Sequence, residues 1–234
     1  MEATIDIPHE VLIVYDFPDD DSVPVVKELR KVYPNIKGVH NKLGKGVINA
    51  IKSGVNIASG EYVVVIAADD IGPVVAMEQM IYLMDKGCDF VSATRYAKSG
   101  RNLGGAFSSR LFSRIANKLF RITGGSAFTD LTLGVKMFRR SIFNKFNLEA
   151  KPVGWAVAFE MAIKAQLLGL KLGEVPIISI NRFYGGKSSF KLMRWVSEYT
   201  KWFLWGLKEL ALSDKRNAVA AQVPQIIISQ NIHK

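Results

Sequence analysis

Residues Tyr62–Asp70 read YVVVIAADD, a continuous β-branched run set off by Gly60 and closed by two adjacent acids. A run of this kind is a strand buried on both faces of a parallel sheet. Toward the N-terminus, Lys45–Ala58 places Val47, Ala50, Ile51, Val55 and Ala58 at nearly helical spacing, and Ile36–His40 is a short strand. Before these, Glu10–Asp16 (EVLIVYD) reads as a strand ending in acid, Phe17–Ser22 as a turn and Val25–Val32 as a helix. Past the acids, a helix follows Pro73 to about Asp85, and Asp89–Ala93 is the next strand. Strands alternating with helices predict a doubly wound α/β sheet. Ligands gather at the carboxyl ends of such strands, where Asp16 and Asp69-Asp70 both lie.

From about Arg95 the pattern changes. Ser99–Gly105 is a glycine-rich loop, Ala106–Thr123 a basic amphipathic helix with Leu111, Ile115 and Leu119 on one face, and Gly124-Gly125 a break. Val135–Phe138 is a short strand, Val157–Leu168 a helix and Gly173–Ile180 a strand. Gly185-Gly186 opens a loop before Phe190–Leu212, the longest helical segment. Residues 213–234 lack periodicity apart from Ile226–Ile228 and are expected to be a loose tail.

The 234 residues carry a net charge of +10, unevenly divided. Residues 1–93 hold 8 Lys and Arg against 14 Asp and Glu, whereas residues 94–234 hold 23 against 7. The two halves are built to meet different partners. One cysteine, Cys88, excludes an intrachain disulfide and a Cys-rich zinc site, and suits a small buried hydrophobe. With no basic, apolar leader and no apolar run of about 18 residues, a cytosolic chain touching membranes only at their surface is expected.

Three groups could carry chemistry. Asp69-Asp70 could hold Mg²⁺ or Mn²⁺ against a diphosphate, since hard oxygen ligands suit those ions; an acid that caps the next helix is the plain alternative. Asp130, in FTDLTLG, is isolated among cations that would keep it ionised, which suits a carboxylate that accepts or orients a proton, or a turn cap. Arg182, Lys187 and Ser188, in NRFYGGKSS, form a glycine-flanked basic loop in which backbone N–H groups and two cations could converge on phosphate; a solvated loop is the alternative. GGKSS is also similar to a P-loop, but Asn181 stands where that motif needs glycine. In Phe190–Leu212, Trp195, Trp202 and Trp205 are interleaved with Lys191, Arg194, Lys201 and Lys208. This pattern suits a helix lying in an anionic membrane interface, or a terminal helix packed on the sheet.

Several short motifs occur in a fixed order over residues 9–208. Asp16 ends the first strand. Lys42–Gly46 (KLGKG) and Ala58-Ser59-Gly60 are similar to N-x-G-x-G and A-x-G. Asp69 with Pro73 is similar to the latter part of D-x-D-x-x-x-P, and Asp130–Gly134 (DLTLG) to D-x-[ST]-G-[FY] extended by one residue. Glu174–Ile177 (EVPI), then Arg182 and Gly186-Lys187-Ser188, are similar to E-V-P-I and R-x-x-G-x-S. In this order the chain resembles family 2 glycosyltransferases, particularly the dolichyl- or polyprenyl-phosphate sugar synthases. The chain departs from the family pattern at Ala67, where the first D-x-D aspartate would be, and at Ile71. Family members also open with a P-x-x-N-E strand, so this chain is expected to start one strand late.

The resemblance implies a GT-A nucleotide-diphospho-sugar transferase fold: a mixed, mostly parallel sheet flanked by helices. It sets a transferase domain over 1–189, beside the interfacial amphipathic helix over 190–212 and the tail over 213–234 expected from spacing and composition. It also implies inverting, metal-dependent sugar transfer from a nucleotide-diphosphate sugar to a lipid phosphate, peripheral on the cytoplasmic face of an anionic membrane. Asp16, Lys45 and Asp69 would bind the donor, and Asp69 with Asp70 would hold Mg²⁺ or Mn²⁺. Arg182, Lys187 and Ser188 would receive the acceptor phosphate. Asp130 would be the general base for a hydroxyl acceptor, or would orient an acceptor phosphate. A non-catalytic nucleotide-sugar-binding or membrane-surface protein is the competing class, suggested by Ala67 and Ile71. Nucleic acid is not expected, since the basic residues form no reader motif.

Overall fold

β1 (Val11–Tyr15) and β2 (Ile36–His40) pair in parallel, Val11 opposite Ile36 and Tyr15 opposite His40, with α1 (Ser22–Val32) as their crossover. The computed structural model describes residues 5–68, 70, 72–103, 107–180 and 192–224. α2 (Val47–Ile57) follows; Gly54 lies against Val14 of β1, while Ile48, Ile51 and Val55 enter the main core. The central sheet then takes β3 (Tyr62–Val65), β4 (Phe90–Thr94), β6 (Lys136–Arg139), β7 (Leu172–Pro176) and β9 (Ala221–Gln222), in spatial order β3-β6-β4-β7-β9. Among the described strands of this sheet only β6 is antiparallel. β5 (Arg101–Leu103) and β8 (Ile178–Ile180) form a small parallel pair beside it.

Alternation along the strands separates two cores. Phe90, Phe138 and Leu172 face one way, toward α2, α5 (Ala156–Leu167) and α6 (Leu192–Leu212). Val91, Met137 and Val175 face the other, toward Met80, Leu83 and Met84 of α3 (Met77–Asp85). Phe90, Phe128, Phe138 and Phe146 meet edge-on in the first core, where losing one ring costs about 3–5 kcal/mol.

Three expectations need correction. YVVVIA is not buried on both faces: β3 is half-buried and, among the described residues, bonds only to the antiparallel β6, which lies between it and β4. α6 does not reserve its apolar side for a membrane over its described side chains. Trp202 and Leu210 are buried, and Gly206 lies so close to Ile163 of α5 that any Cβ there would overlap it. The indole N–H of Trp202 donates to Glu198, which also accepts Lys151 N–H. The aromatic spacing therefore builds core. Over residues 213–224 the tail is not loose: β9 pairs Gln222 with Glu174, Asn217 N–H donates to Gly125 O, and Gln166 Nε2 donates to Lys215 O. A two-residue strand is too short to leave a periodic signal.

Candidate active site

A row of polar residues crosses the centre of the sheet. Lys136, Ser92 and Glu174 are register partners on β6, β4 and β7, on the face that carries Phe138, Phe90 and Leu172 two residues away. All three are buried. Lys136 Nζ donates to Ser92 Oγ at 2.6 Å, and Glu174 accepts Thr129 N–H at 2.7 Å and the Thr129 hydroxyl at 2.9 Å. Burial pushes the Lys136 ammonium down to about 8, against the pull of Asp130 and Glu174, and pushes the Glu174 carboxyl up. The sheet thus fixes the Thr129–Asp130 backbone from below, which explains the acid of the EVPI strand.

Asp130 sits on that support and is wholly inaccessible to solvent. Arg95, the first residue beyond β4, grips it with Nε on Oδ2 at 2.7 Å and Nη2 on Oδ1 at 3.1 Å. The carboxylate also accepts Arg95 N–H, Leu133 N–H and both the N–H and hydroxyl of Thr132. Burial works against its charge, but Arg95, Lys136 and Thr132 outweigh it and hold the carboxyl below the usual range. Burial likewise opposes the charge of Arg95, and Asp130 more than restores it, with Asp70 adding to the hold. Gly134, the last residue of DLTLG, packs on the Trp155 ring, where a Cβ would lie 2.7 Å from two ring carbons.

At the ends of β1 and β2, Asp16 accepts Asn41 Nδ2 at 2.8 Å and Gly46 N–H at 3.2 Å. Asn41, itself buried, also donates to Gly44 O and accepts Leu43 N–H and the Ser53 hydroxyl, so it shapes the KLGKG loop. Lys45 Nζ lies 5.1 Å from the centre of the Phe17 ring. Asp16 and Lys45 thus share one loop cluster. Asp130 is bonded to Arg95, and the charge of Asp70 adds to the pull on that guanidinium. Asp69, Arg182, Lys187 and Ser188 lie outside the described residues. Among the described residues no three His, Cys, Asp or Glu side chains cluster to ligate a metal. One Asp70 carboxylate oxygen is buried at the β3 end, and hard oxygen there suits a divalent cation that needs one or two carboxylates beside diphosphate oxygens.

Arg95, Asn41 and Lys136 are absent from the sequence expectations. Arg95 and Asn41 each directly follow a strand, the position where site residues collect. Lys136 had no comparable signal, because a lysine at a strand start reads as exposed.

Known proteins share the sequence pattern and the fold. The pattern of glycosyl transferase family 2 matches residues 3–146. A dolichol-phosphate mannosyltransferase of Pyrococcus furiosus is 27% identical over 201 residues, 83% of this chain and 56% of that protein. A polyprenol monophosphomannose synthase of Mycolicibacterium smegmatis is 26% identical over 110 residues, 47% of this chain and 42% of that protein. The chain therefore spans about half the length of these curated relatives. Among solved structures, glucosyl-3-phosphoglycerate synthase of Mycobacterium tuberculosis, in complex with Mn²⁺, UDP and glucosyl-3-phosphoglycerate, aligns with a TM-score of 0.57 at 18% identity, covering 88% of this chain and 70% of that one. The fold is that of the GT-A glycosyltransferases. Match and architecture agree, and the chain belongs to glycosyl transferase family 2.

Proposed function

We propose that the chain moves a sugar from a nucleoside-diphosphate donor to a polyprenyl or dolichyl phosphate, with inversion at the anomeric carbon. The state of Asp130 carries this reading. Enclosed, ionised and saturated with donors, it has neither the access nor the basicity to take a proton from an acceptor hydroxyl. A phosphate acceptor arrives already ionised and needs a cation instead. Among the described residues no hydrogen bond occupies Nη1 of Arg95, and 16% of that side chain is exposed. Asp130, with Glu174 behind it, acts as a positioning residue for that cation, and Arg182, Lys187 and Ser188 complete the acceptor site. The names of the two lipid-phosphate relatives support the same acceptor class.

On the donor side, Asp16 orders the KLGKG loop and Lys45 supplies a cation to the diphosphate. Asp69 and Asp70 would hold Mg²⁺ or Mn²⁺, which supplies Lewis-acid stabilisation of the departing diphosphate. The Mn²⁺ and UDP described for the mycobacterial neighbour support a divalent cation beside the diphosphate. Among the described residues no helix is long and apolar enough to cross a membrane, and we place the protein peripherally on the cytoplasmic face. The test is a scan of nucleotide sugars with Mn²⁺ or Mg²⁺ and a short-chain polyprenyl phosphate. The expected product is a lipid-phosphate-linked sugar. Turnover only onto hydroxyl acceptors would sink this reading, and donor binding without turnover would leave a binding protein.

A further inference from the structure

α4 (Phe107–Leu119), which continues into one π-helical turn at Phe120–Gly124, is amphipathic in the reverse of the usual sense. Its inward face is largely polar. Ser113 bonds to Arg95, Tyr96 and Thr132, and buried Asn117 bonds to Asp130, Thr132 and Leu131 N–H. Its outward face is apolar: Leu111, Phe112, Ile115, Leu119 and Ile122 are all exposed, Phe112 at 69% and Ile122 at 64%. At about 100° per residue these five fall within an arc of roughly 100°. Arg114, Lys118 and Arg121, all exposed, border that arc on one side.

We infer that this outward face seats the protein on an anionic bilayer. The inference deepens the lipid-phosphate reading and rests on it for its purpose. Charge selects the occupant. Between residues 90 and 148 the only acid is Asp130, which is buried and paired, so nothing in that stretch offsets the exposed cations. A second copy docked face to face would oppose the same cations, whereas anionic head groups neutralise them while acyl chains cover the apolar arc. The arrangement also fits the chemistry. The inward face of this one helix holds Arg95 and Thr132 in place, so a bilayer on its outer face lies about one helix diameter, ~10 Å, from the guanidinium that would receive a lipid phosphate. Membrane contact thus moves from α6, where the aromatic spacing put it, to α4.

The test is sedimentation of the full chain with phosphatidylcholine vesicles, with and without phosphatidylglycerol. The unchanged protein is expected to bind the anionic vesicles, and salt is expected to release it. Phe112→Asp with Ile115→Asp should weaken partitioning at least about tenfold. Arg114→Glu with Lys118→Glu should weaken it roughly fivefold or more per cation on anionic vesicles only. Both pairs are exposed, so melting temperature and transfer to a short-chain, water-soluble polyprenyl phosphate should be unchanged. Vesicle binding that neither pair reduces would overturn the inference, as would failure of the unchanged protein to bind anionic vesicles. A dimer in solution dissolved by the Phe112/Ile115 pair would make a second copy the occupant and overturn it too. Absent transfer to the soluble acceptor, with vesicle binding intact and sensitive to both pairs, would instead refute the proposed reaction and leave the docking face standing.

Discussion

Arg95 spans both oxygens of Asp130, Nε to Oδ2 at 2.7 Å and Nη2 to Oδ1 at 3.1 Å, with the carboxylate fully enclosed beneath it. A planar fork is what this geometry demands, and lysine offers one point charge instead. Arg95→Lys is therefore expected to reduce transfer to a polyprenyl phosphate by about a hundredfold or more. Breaking the buried pair by Arg95→Ala should also cost about 3 kcal/mol in denaturant unfolding. Near-normal turnover by Arg95→Lys would remove the guanidinium from the acceptor site.

Asp130→Asn tests the other partner. Asparagine keeps the shape but removes the charge that holds the guanidinium. The expected result is a raised KM for the acceptor phosphate, with donor KM nearly unchanged. Because Asp130 is held ionised below the usual carboxylate range, the pH profile of the unchanged enzyme should show no acid limb from this group near neutrality. A loss confined to kcat, with acceptor KM intact, would return Asp130 to the role of base.

The sequence made the β/α alternation legible because apolar period and glycine breaks are local signals. Asp16, Asp70 and Asp130 stood out because an acid beside a strand end or among cations is conspicuous one residue at a time. What could not be read was pairing. Arg95 and Asp130 are 35 residues apart, and the row Lys136, Ser92, Glu174 exists only once β6 enters between β3 and β4. Trp202 and Trp205 of α6 are ambiguous in sequence for a related reason. The same apolar spacing serves a membrane face or a core, and only Ile163 against Gly206 and the buried Trp202 decide between them.

Gly46 has a backbone that other residues resist, φ +127° and ψ 156°, and its missing Cβ would lie 2.5 Å from Pro152. Its N–H also meets Asp16. Gly46→Ala is thus expected to cost about 2 kcal/mol or more in stability and to raise the donor KM, leaving acceptor KM alone. Equal effects on both substrates would detach this loop from donor binding.

Stability should respond to acid and to base through different groups. Glu10 accepts the backbone N–H and the hydroxyl of Ser59; those bonds, with Lys37, outweigh partial burial and hold its carboxyl at about 2. A lowered carboxyl binds fewer protons folded than unfolded, so its contribution is complete above about 4.5 and is lost as pH falls toward 2. Glu10→Gln should cost about 1 kcal/mol at pH 7, and the difference from the unchanged protein should vanish near pH 2. Lys136 has the opposite consequence. Its ammonium is pushed down to about 8 from 10.5, so between those values the unfolded chain binds the extra proton and stability rises with pH. Lys136→Met should flatten that alkaline rise while leaving the acid limb of Glu10 in place. Denaturant midpoints at pH 3, 7 and 9.5 separate the two, and an alkaline rise unchanged in Lys136→Met would mean that the buried row is not where that proton is lost.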